Sequence, residues 1–155
     1  MEKMVLGNST DIYSFFEIIN QAEVNSILDV GMFLKRIGSV SRQVKDREIS
    51  LDTELVGIDL FPEIRCPVWN TIYDMVYGWE FFENGNSGQI YDMAVVLDLD
   101  GLIDLKQSFL MWKWISEHVS YILTDWVLGE NEETIKFHSE QEIIVDEKVY
   151  RFLIV

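Results

Sequence analysis

The chain has 155 residues, of which 48% are hydrophobic and 25% are charged. These fractions are typical of a globular protein, and the length fits a single domain that spans residues 1–155. Twelve basic and 27 acidic side chains leave a net charge of −15. Because that charge repels nucleic-acid phosphates and anionic lipid surfaces, we expect neither nucleic acid nor membrane among the partners.

Hydropathy and cysteine content predict the compartment. No run reaches the roughly 18 apolar residues that cross a bilayer, and residues 1–11 lack the apolar core of a secretory signal. One cysteine, Cys66, and two histidines, His118 and His138, are too few for a disulfide framework or a zinc site of thiolates and imidazoles. The sequence therefore predicts a cytoplasmic protein without a metal centre.

The first part of the chain alternates between helical and strand patterns. Possible N-cap side chains and an amphipathic spacing predict an N-terminal helix at about residues 9–24. Ser26–Val30 is a short apolar run with one acid, which is typical of a strand buried on both faces. A second helix at residues 33–46 and a second strand at Leu55–Ile58 follow.

The remainder of the chain predicts further strands and one more helix. The strands are Asn70–Tyr73, Met93–Leu97 and Val119–Leu123, and the helix is Asp104–Glu117. Met75–Phe82 fits a helix or an extended segment equally. β-prone stretches at residues 133–138 and 148–155, with a turn at residues 145–148, indicate a closing antiparallel hairpin.

This order predicts the α/β class, with a three-layer, Rossmann-like architecture. The sheet should be mostly parallel, with antiparallel C-terminal strands at one edge. In an open sheet of this kind, ligands bind outside the carboxyl ends of the strands. Asp29, Gly31 and Asp59 follow or end two such strands, so the spacing indicates a nucleotide-type pocket.

The same order and two short motifs resemble the class I S-adenosylmethionine-dependent methyltransferases. Ile27-Leu28-Asp29-Val30-Gly31 is similar to the first motif of that family, and Val56-Gly57-Ile58-Asp59 is similar to the second. Tyr91-Asp92 resembles the entry to the fourth strand of the family. The resemblance covers roughly residues 10–155.

The resemblance implies S-adenosylmethionine as the cofactor and methyl transfer to a small molecule as the activity. The implied cofactor-binding residues are Asp29, Gly31, Asp59 and Asp74, with Asp59 on the ribose hydroxyls and Asp74 near the adenine amine. Asp29 would attract the ammonium of the methionine half. Asp98, after the fourth strand, would orient the acceptor, and no catalytic residue is assigned.

An alternative is a methyltransferase-like scaffold that has lost the cofactor and serves as a binding or assembly protein. Phe33 stands where the family has a second loop glycine, and no Asn-Pro-Pro-aromatic motif follows the fourth strand. A protein partner or a homodimer would then use the aromatic residues of segment 69–82. Core packing explains those aromatic residues equally well.

Simpler structural roles remain open for individual residues. Asp29 and Asp59 could hydrogen-bond a loop or cap a helix, and Gly31 could be a turn glycine. Asp74 could be a solvated loop acid. His118 is expected to lie at the C-terminus of a helix rather than in an active site.

Overall fold

The structure is a computed structural model that describes residues 2–5, 23–32, 53–60, 73–83, 89–97, 99, 101–126, 139–145 and 148–155. The described strands are β1 (Glu2–Val5), β2 (Ser26–Val30), β3 (Glu54–Ile58), β4 (Met75–Tyr77), β5 (Tyr91–Val96), β6 (Val119–Thr124), β7 (Ser139–Val145) and β8 (Lys148–Ile154). The described helices are α1 (Glu80–Glu83) and α2 (Leu105–His118). Residues 9–22 and 33–46 of the predicted helices lie outside the described residues, as do Phe33 and Asp98, and the described Glu23 and Val24 are not helical.

The eight described strands form one sheet in the order β1-β7-β8-β6-β5-β2-β3-β4. From β4 through β3, β2 and β5 to β6, all neighbours run parallel. β8 is antiparallel to both β6 and β7, between which it lies. The predicted α/β, Rossmann-like fold with antiparallel C-terminal strands is therefore confirmed.

The strand order reverses beside β2. The chain moves outward from β2 through β3 to β4, and β5 then returns to the other side of β2. Such a reversal opens a crevice between the carboxyl ends of the two strands that flank it. The gap between β2 and β5 is thus the position where this type of sheet binds ligands.

The central strands are continuous apolar runs because both of their faces are covered. Each residue of β2 after Ser26 and of β3 after Glu54 is buried. On one face, side chains such as Leu28, Val56 and Ala94 pack beneath α1 and α2. Each fully buried large side chain of this kind contributes roughly 1.5–3 kcal/mol to stability.

Helix α2 confirms the prediction for Asp104–Glu117 within one residue at each end. The Asp104 carboxylate accepts the N–H of Gln107 at 2.7 Å, and the Gln107 side-chain oxygen accepts the N–H of Asp104 at 3.0 Å. This reciprocal capping box satisfies backbone donors that the first turn leaves open. Met111, Trp112 and Ile115 form the buried side of the helix.

The third strand of the parallel set does not lie where the sequence predicted it. The strand that pairs with β3 is Met75–Tyr77. Of the predicted strand Asn70–Tyr73, residues 70–72 lie outside the described part, and Tyr73 is not in a strand. Asp74 accepts the N–H of Leu55 at 2.9 Å, and its own N–H donates to the Leu55 carbonyl at 2.8 Å. The ladder therefore begins after Asp74, and the ambiguous segment 75–82 divides into β4 and the start of α1.

Both termini contribute strands. β7 and β8 form the predicted antiparallel hairpin, whose first strand is Ser139–Val145, whereas residues 133–138 lie outside the described part. β1 pairs in parallel with β7 and was not predicted. Among the helices that the structure describes, neither is long and apolar enough to cross a bilayer.

Candidate active site at the carboxyl edge of the sheet

The structure brings Asp29, Gly31 and Asp59 together at one edge of the sheet. Asp29 pairs with Gly57, and Val30 pairs with Ile58. One step beyond this register, the N–H of Gly31 donates to the carbonyl of Ile58 at 2.8 Å. The turn after β2 is thus joined to the end of β3, as the strand-end argument predicted.

The turn after β2 has an unusual backbone. Gly31 has a φ of 83° and Met32 a φ of 56°, both in the left-handed region. Glycine adopts that region freely, whereas a methionine does so at a cost. Met32 is nevertheless 2% exposed, which shows that packing holds the turn in this conformation. Gly31 therefore supplies conformational freedom at the point where the chain leaves the sheet.

Gly31 also makes room for a leucine from the neighbouring loop. A Cβ atom at Gly31 would lie 2.5 Å from Cδ2 of Leu99, which is far inside van der Waals contact. Leu99 follows β5 and is fully buried. A side chain of the protein itself thus occupies the bare surface of Gly31 at the crevice between β2 and β5.

A second glycine, Gly57 within β3, lies against the ring of a tyrosine. A Cβ atom there would lie 3.1 Å from Cδ1 of Tyr73 and 3.1 Å from Cγ of Met32. The Tyr73 ring lies against β3 because no side chain stands in its way. Its hydroxyl reaches across the strand and donates to Oδ2 of Asp29 at 2.5 Å.

The two carboxylates of the edge are both buried. Asp29 is 0% exposed and Asp59 is 5% exposed. Asp59 directly follows β3, and its N–H donates to the Tyr77 carbonyl at 2.7 Å, which ties it to the end of β4. The carboxyl edge therefore combines a left-handed turn with two acids in an otherwise apolar layer.

Asp74 does not join this group. The corrected position of β4 puts Asp74 at the start of that strand, beside Leu55 at the start of β3. These are the amino ends of parallel strands, whereas Gly31 and Asp59 lie at the carboxyl ends. The geometry supports a capping role for Asp74. Asp98 lies outside the described residues.

Sequence reasoning missed the part that Tyr73 plays at this edge. It placed Tyr73 at the end of a predicted strand and among the aromatic residues of segment 69–82. The available signal was Gly57, because an isolated glycine inside a strand marks a close approach by another group. The sequence does not identify that group, since Tyr73 and Asp29 are 44 residues apart.

The described aromatic residues of the other face belong to the core. Trp79, Phe81 and Phe82 are buried, and the Phe81 ring centroid lies 4.9 Å from that of Trp114 on α2. His118 lies in the last turn of α2, as predicted, and its Nδ1 lies 2.7 Å from the carbonyl oxygen of Trp114. The described part of the chain holds no cluster of histidine, cysteine or acidic residues that could bind a metal ion.

A groove of about 360 Å³ lies on the outer side of this aromatic cluster. Its lining residues are Phe82, Glu83, Leu110, Lys113, Trp114, Glu117 and His118. Because the groove includes the last turns of α2, it is separate from the carboxyl edge of the sheet.

Comparisons of sequence identify no relative. No protein-family model matches the chain, and no curated protein matches it significantly.

Comparisons of structure find methyltransferases. A proposed caffeoyl-CoA O-methyltransferase from Staphylococcus aureus shares 15% identity at a TM-score of 0.56, over 97% of this chain and 85% of that one. A proposed O-methyltransferase from Nostoc punctiforme shares 11% identity at 0.62, over 93% of this chain but only 55% of its own.

TomG of Streptomyces achromogenes, an O-methyltransferase of tomaymycin synthesis solved in complex with S-adenosylmethionine, shares 10% identity with this chain. The TM-score is 0.58, over 97% of this chain and 81% of TomG. At such low identity these matches establish the fold alone. The chain therefore has the fold of the class I S-adenosylmethionine-dependent methyltransferases.

Proposed function

We propose that the carboxyl edge binds S-adenosylmethionine and that the protein transfers a methyl group to a small molecule. One observation carries the proposal: the Gly31 turn and Asp59 meet at the strand ends beside the crevice between β2 and β5. Sheets of this type bind ligands at that position. The similarity in fold to TomG, which was solved with this cofactor, supports the choice of ligand.

The residues present fit the nucleoside half of the cofactor. An ionised carboxylate only accepts hydrogen bonds, and its two oxygens can receive both ribose hydroxyls. Asp59 is the acid that directly follows β3, and it is fixed to the end of β4 through its backbone. In this assignment Asp59 accepts the hydrogen bonds of the ribose hydroxyls, and Gly31 forms the turn beside the ribose.

The bound cofactor would supply a methyl group on a sulfonium, which transfers in line to a nucleophile. A reaction of this kind depends mainly on holding the two partners close and aligned. The buried side chains of Leu97 and Leu99, which follow β5, would exclude water from the crevice. We retain Asp98 as a candidate for orienting the acceptor. The net charge of −15 favours a small acceptor over nucleic acid.

Isothermal titration with S-adenosylhomocysteine and S-adenosylmethionine tests this proposal. Asp59→Asn removes the negative charge, and we expect the affinity to fall at least about tenfold, the loss of one hydrogen bond to a charged acceptor. Glu23→Gln is the matched control, because it removes one acidic charge from an exposed position that precedes β2 and does not line the groove. Equal affinities of the wild type and Asp59→Asn would contradict the assignment.

A second candidate is the cofactor-free scaffold, and one specific observation favours it. Side chains of the protein itself occupy the space beside both glycines near the edge. Leu99 lies beside Gly31, and Tyr73 and Met32 lie beside Gly57. A scaffold of this kind would bind a protein partner or a second copy of the chain. It predicts no thermal shift with millimolar S-adenosylhomocysteine and a stable complex by light scattering. Ligand binding with a defined stoichiometry would contradict it.

A further inference from the structure

The Tyr73 ring crosses β3 to reach Asp29. The ring lies over Gly57, where even a methyl group would come within 3.2 Å of its Cε1 atom. That spacing is tighter than ordinary van der Waals contact, so the absence of a side chain at residue 57 lets the ring lie this close to β3. The arrangement couples three separate segments of the chain in one buried layer.

The hydrogen bond at the end of this passage is short and enclosed. The Tyr73 hydroxyl donates to Oδ2 of Asp29 at 2.5 Å, within the range of bonds from a hydroxyl to a carboxylate. Tyr73 is 1% exposed and Asp29 is 0% exposed. No face of this pair is open to solvent, so a ligand reaches Asp29 only by displacing protein atoms.

Binding of the cofactor's ammonium group at Asp29, with displacement of these protein atoms, would be unfavourable. The ammonium would have to leave water and enter a fully buried layer. The Tyr73 hydroxyl would lose this acceptor while still enclosed, and an enclosed donor that loses its acceptor costs more than an exposed one. Met32 is also buried and lies against Gly57 in the same layer.

We propose that Tyr73 is a specificity-determining residue that holds Asp29 inside the protein, so that the edge recognises the nucleoside half of its ligand and not the amino-acid half. This inference rests on the proposed function, because it concerns the ligand of the same edge. It reassigns the Asp29 carboxylate from ligand contact to the internal hydrogen bond with Tyr73. Adenosine-type ligands with and without an amino-acid group are therefore expected to bind this edge with similar affinity.

Calorimetry with two ligands tests the inference. S-adenosylhomocysteine carries the amino-acid group, and 5′-methylthioadenosine has the same nucleoside without it. We expect wild-type dissociation constants that agree within about threefold, which is less than one hydrogen bond to a charged group contributes. Binding of S-adenosylhomocysteine more than about tenfold tighter would overturn the inference and leave the proposed function standing.

Two variants test whether Asp29 contacts the amino-acid group of the ligand. Asp29→Asn removes the charge but keeps an oxygen that Tyr73 can donate to, and we expect the S-adenosylhomocysteine affinity to change less than about threefold. A loss beyond about tenfold would show that Asp29 contacts the ammonium and would overturn the inference. Tyr73→Phe removes the donor, and we expect S-adenosylhomocysteine to gain affinity relative to 5′-methylthioadenosine.

The outcomes separate the two proposals. Circular dichroism and thermal melting establish that each variant is folded before its binding is compared. If neither ligand binds the wild type, Asp29→Asn or Tyr73→Phe, the nucleoside site itself is wrong, and the proposed function and the inference fall together. If both ligands bind and only S-adenosylhomocysteine depends on Asp29, the inference alone is wrong.

Discussion

At the scale of single residues, two glycines determine how the carboxyl edge is filled. Gly31 leaves space for the side chain of Leu99, and Gly57 leaves space for the side chains of Tyr73 and Met32. In both cases the missing side chain makes space for another part of the same protein. The glycines therefore act first as packing residues, and any ligand must bind around them.

Substitution of Gly57 tests this packing role. In Gly57→Ala the new methyl group would lie 3.1 Å from both Tyr73 and Met32. We expect a loss of about 1–3 kcal/mol in the free energy of unfolding, as for other overpacked cores. Urea denaturation, with the midpoint and slope compared to the wild type, measures this loss.

Gly78→Ala is the matched control for Gly57→Ala. The three atoms nearest to its Cβ all belong to the end of the exposed Glu80 side chain, which can swing away with the loss of its hydrogen bond from the Gly78 N–H at 3.2 Å. We expect a smaller loss than for Gly57→Ala, below about 1 kcal/mol. Equal losses from the two substitutions would contradict the account of Gly57.

Tyr91, the first residue of β5, predicts a dependence of stability on alkaline pH. Burial, reinforced by the negative charge of Glu54 and by Tyr77, raises the pKa of Tyr91 to about 12. The unfolded chain has a tyrosine pKa of about 10, so the folded state retains the proton more strongly. The stabilisation is complete below pH 10 and is lost as the pH rises through about 12.

The variant Tyr91→Phe isolates this contribution from other alkaline titrations. We expect the free energy of unfolding of the wild type to fall more steeply than that of the variant between pH 10 and 12. Urea denaturation across that interval measures the two slopes. Parallel slopes would contradict the assignment to Tyr91.

The acids and the glycine of the edge were predictable from local sequence, but the side chains that enclose them were not. Asp29, Gly31 and Asp59 each end or follow a recognisable apolar run, and the register of β2 with β3 brings them together. Tyr73 acts through a contact with Asp29, which is 44 residues away in the sequence. No local pattern encodes the partner of such a contact.

At the scale of elements, the capping box of α2 makes the clearest stability prediction. Asp104→Ala removes the acceptor for the N–H of Gln107, and we expect a loss of about 0.5–2 kcal/mol in the free energy of unfolding. Asp104→Asn retains an acceptor and should lose only a few tenths. Equal losses in urea denaturation would contradict the capping role.

Three of the predicted strands share a physical property that the missed strand β4 lacks. β2, β3 and β5 are apolar runs that neighbours cover on both faces. β4 has only three residues, and its first residue, Met75, is 51% exposed. β1 has four residues and is a strand because it pairs with β7, at the far end of the sequence. Pairing with a neighbouring strand, rather than the local sequence, therefore determines that these two segments are strands.

At the scale of the whole molecule, the described part of the chain has a candidate ligand-binding edge and a separate groove. The carboxyl edge carries the Gly31 turn and Asp59, whereas the groove lies along the end of α2 against Phe82 and Trp114. The fold is that of methyltransferases, so the account predicts that an adenosyl ligand binds at the edge. The groove, which has charged and aromatic walls, is the competing location.

Hydrogen–deuterium exchange with and without saturating S-adenosylhomocysteine distinguishes these locations most directly. We predict slower exchange at residues 26–32 and 53–60, the segments that end at the carboxyl edge, and unchanged exchange at residues 110–118. Protection confined to residues 82–83 and 110–118 would place the ligand in the groove and contradict the account. Unchanged exchange along the whole chain would show that the edge binds no such ligand.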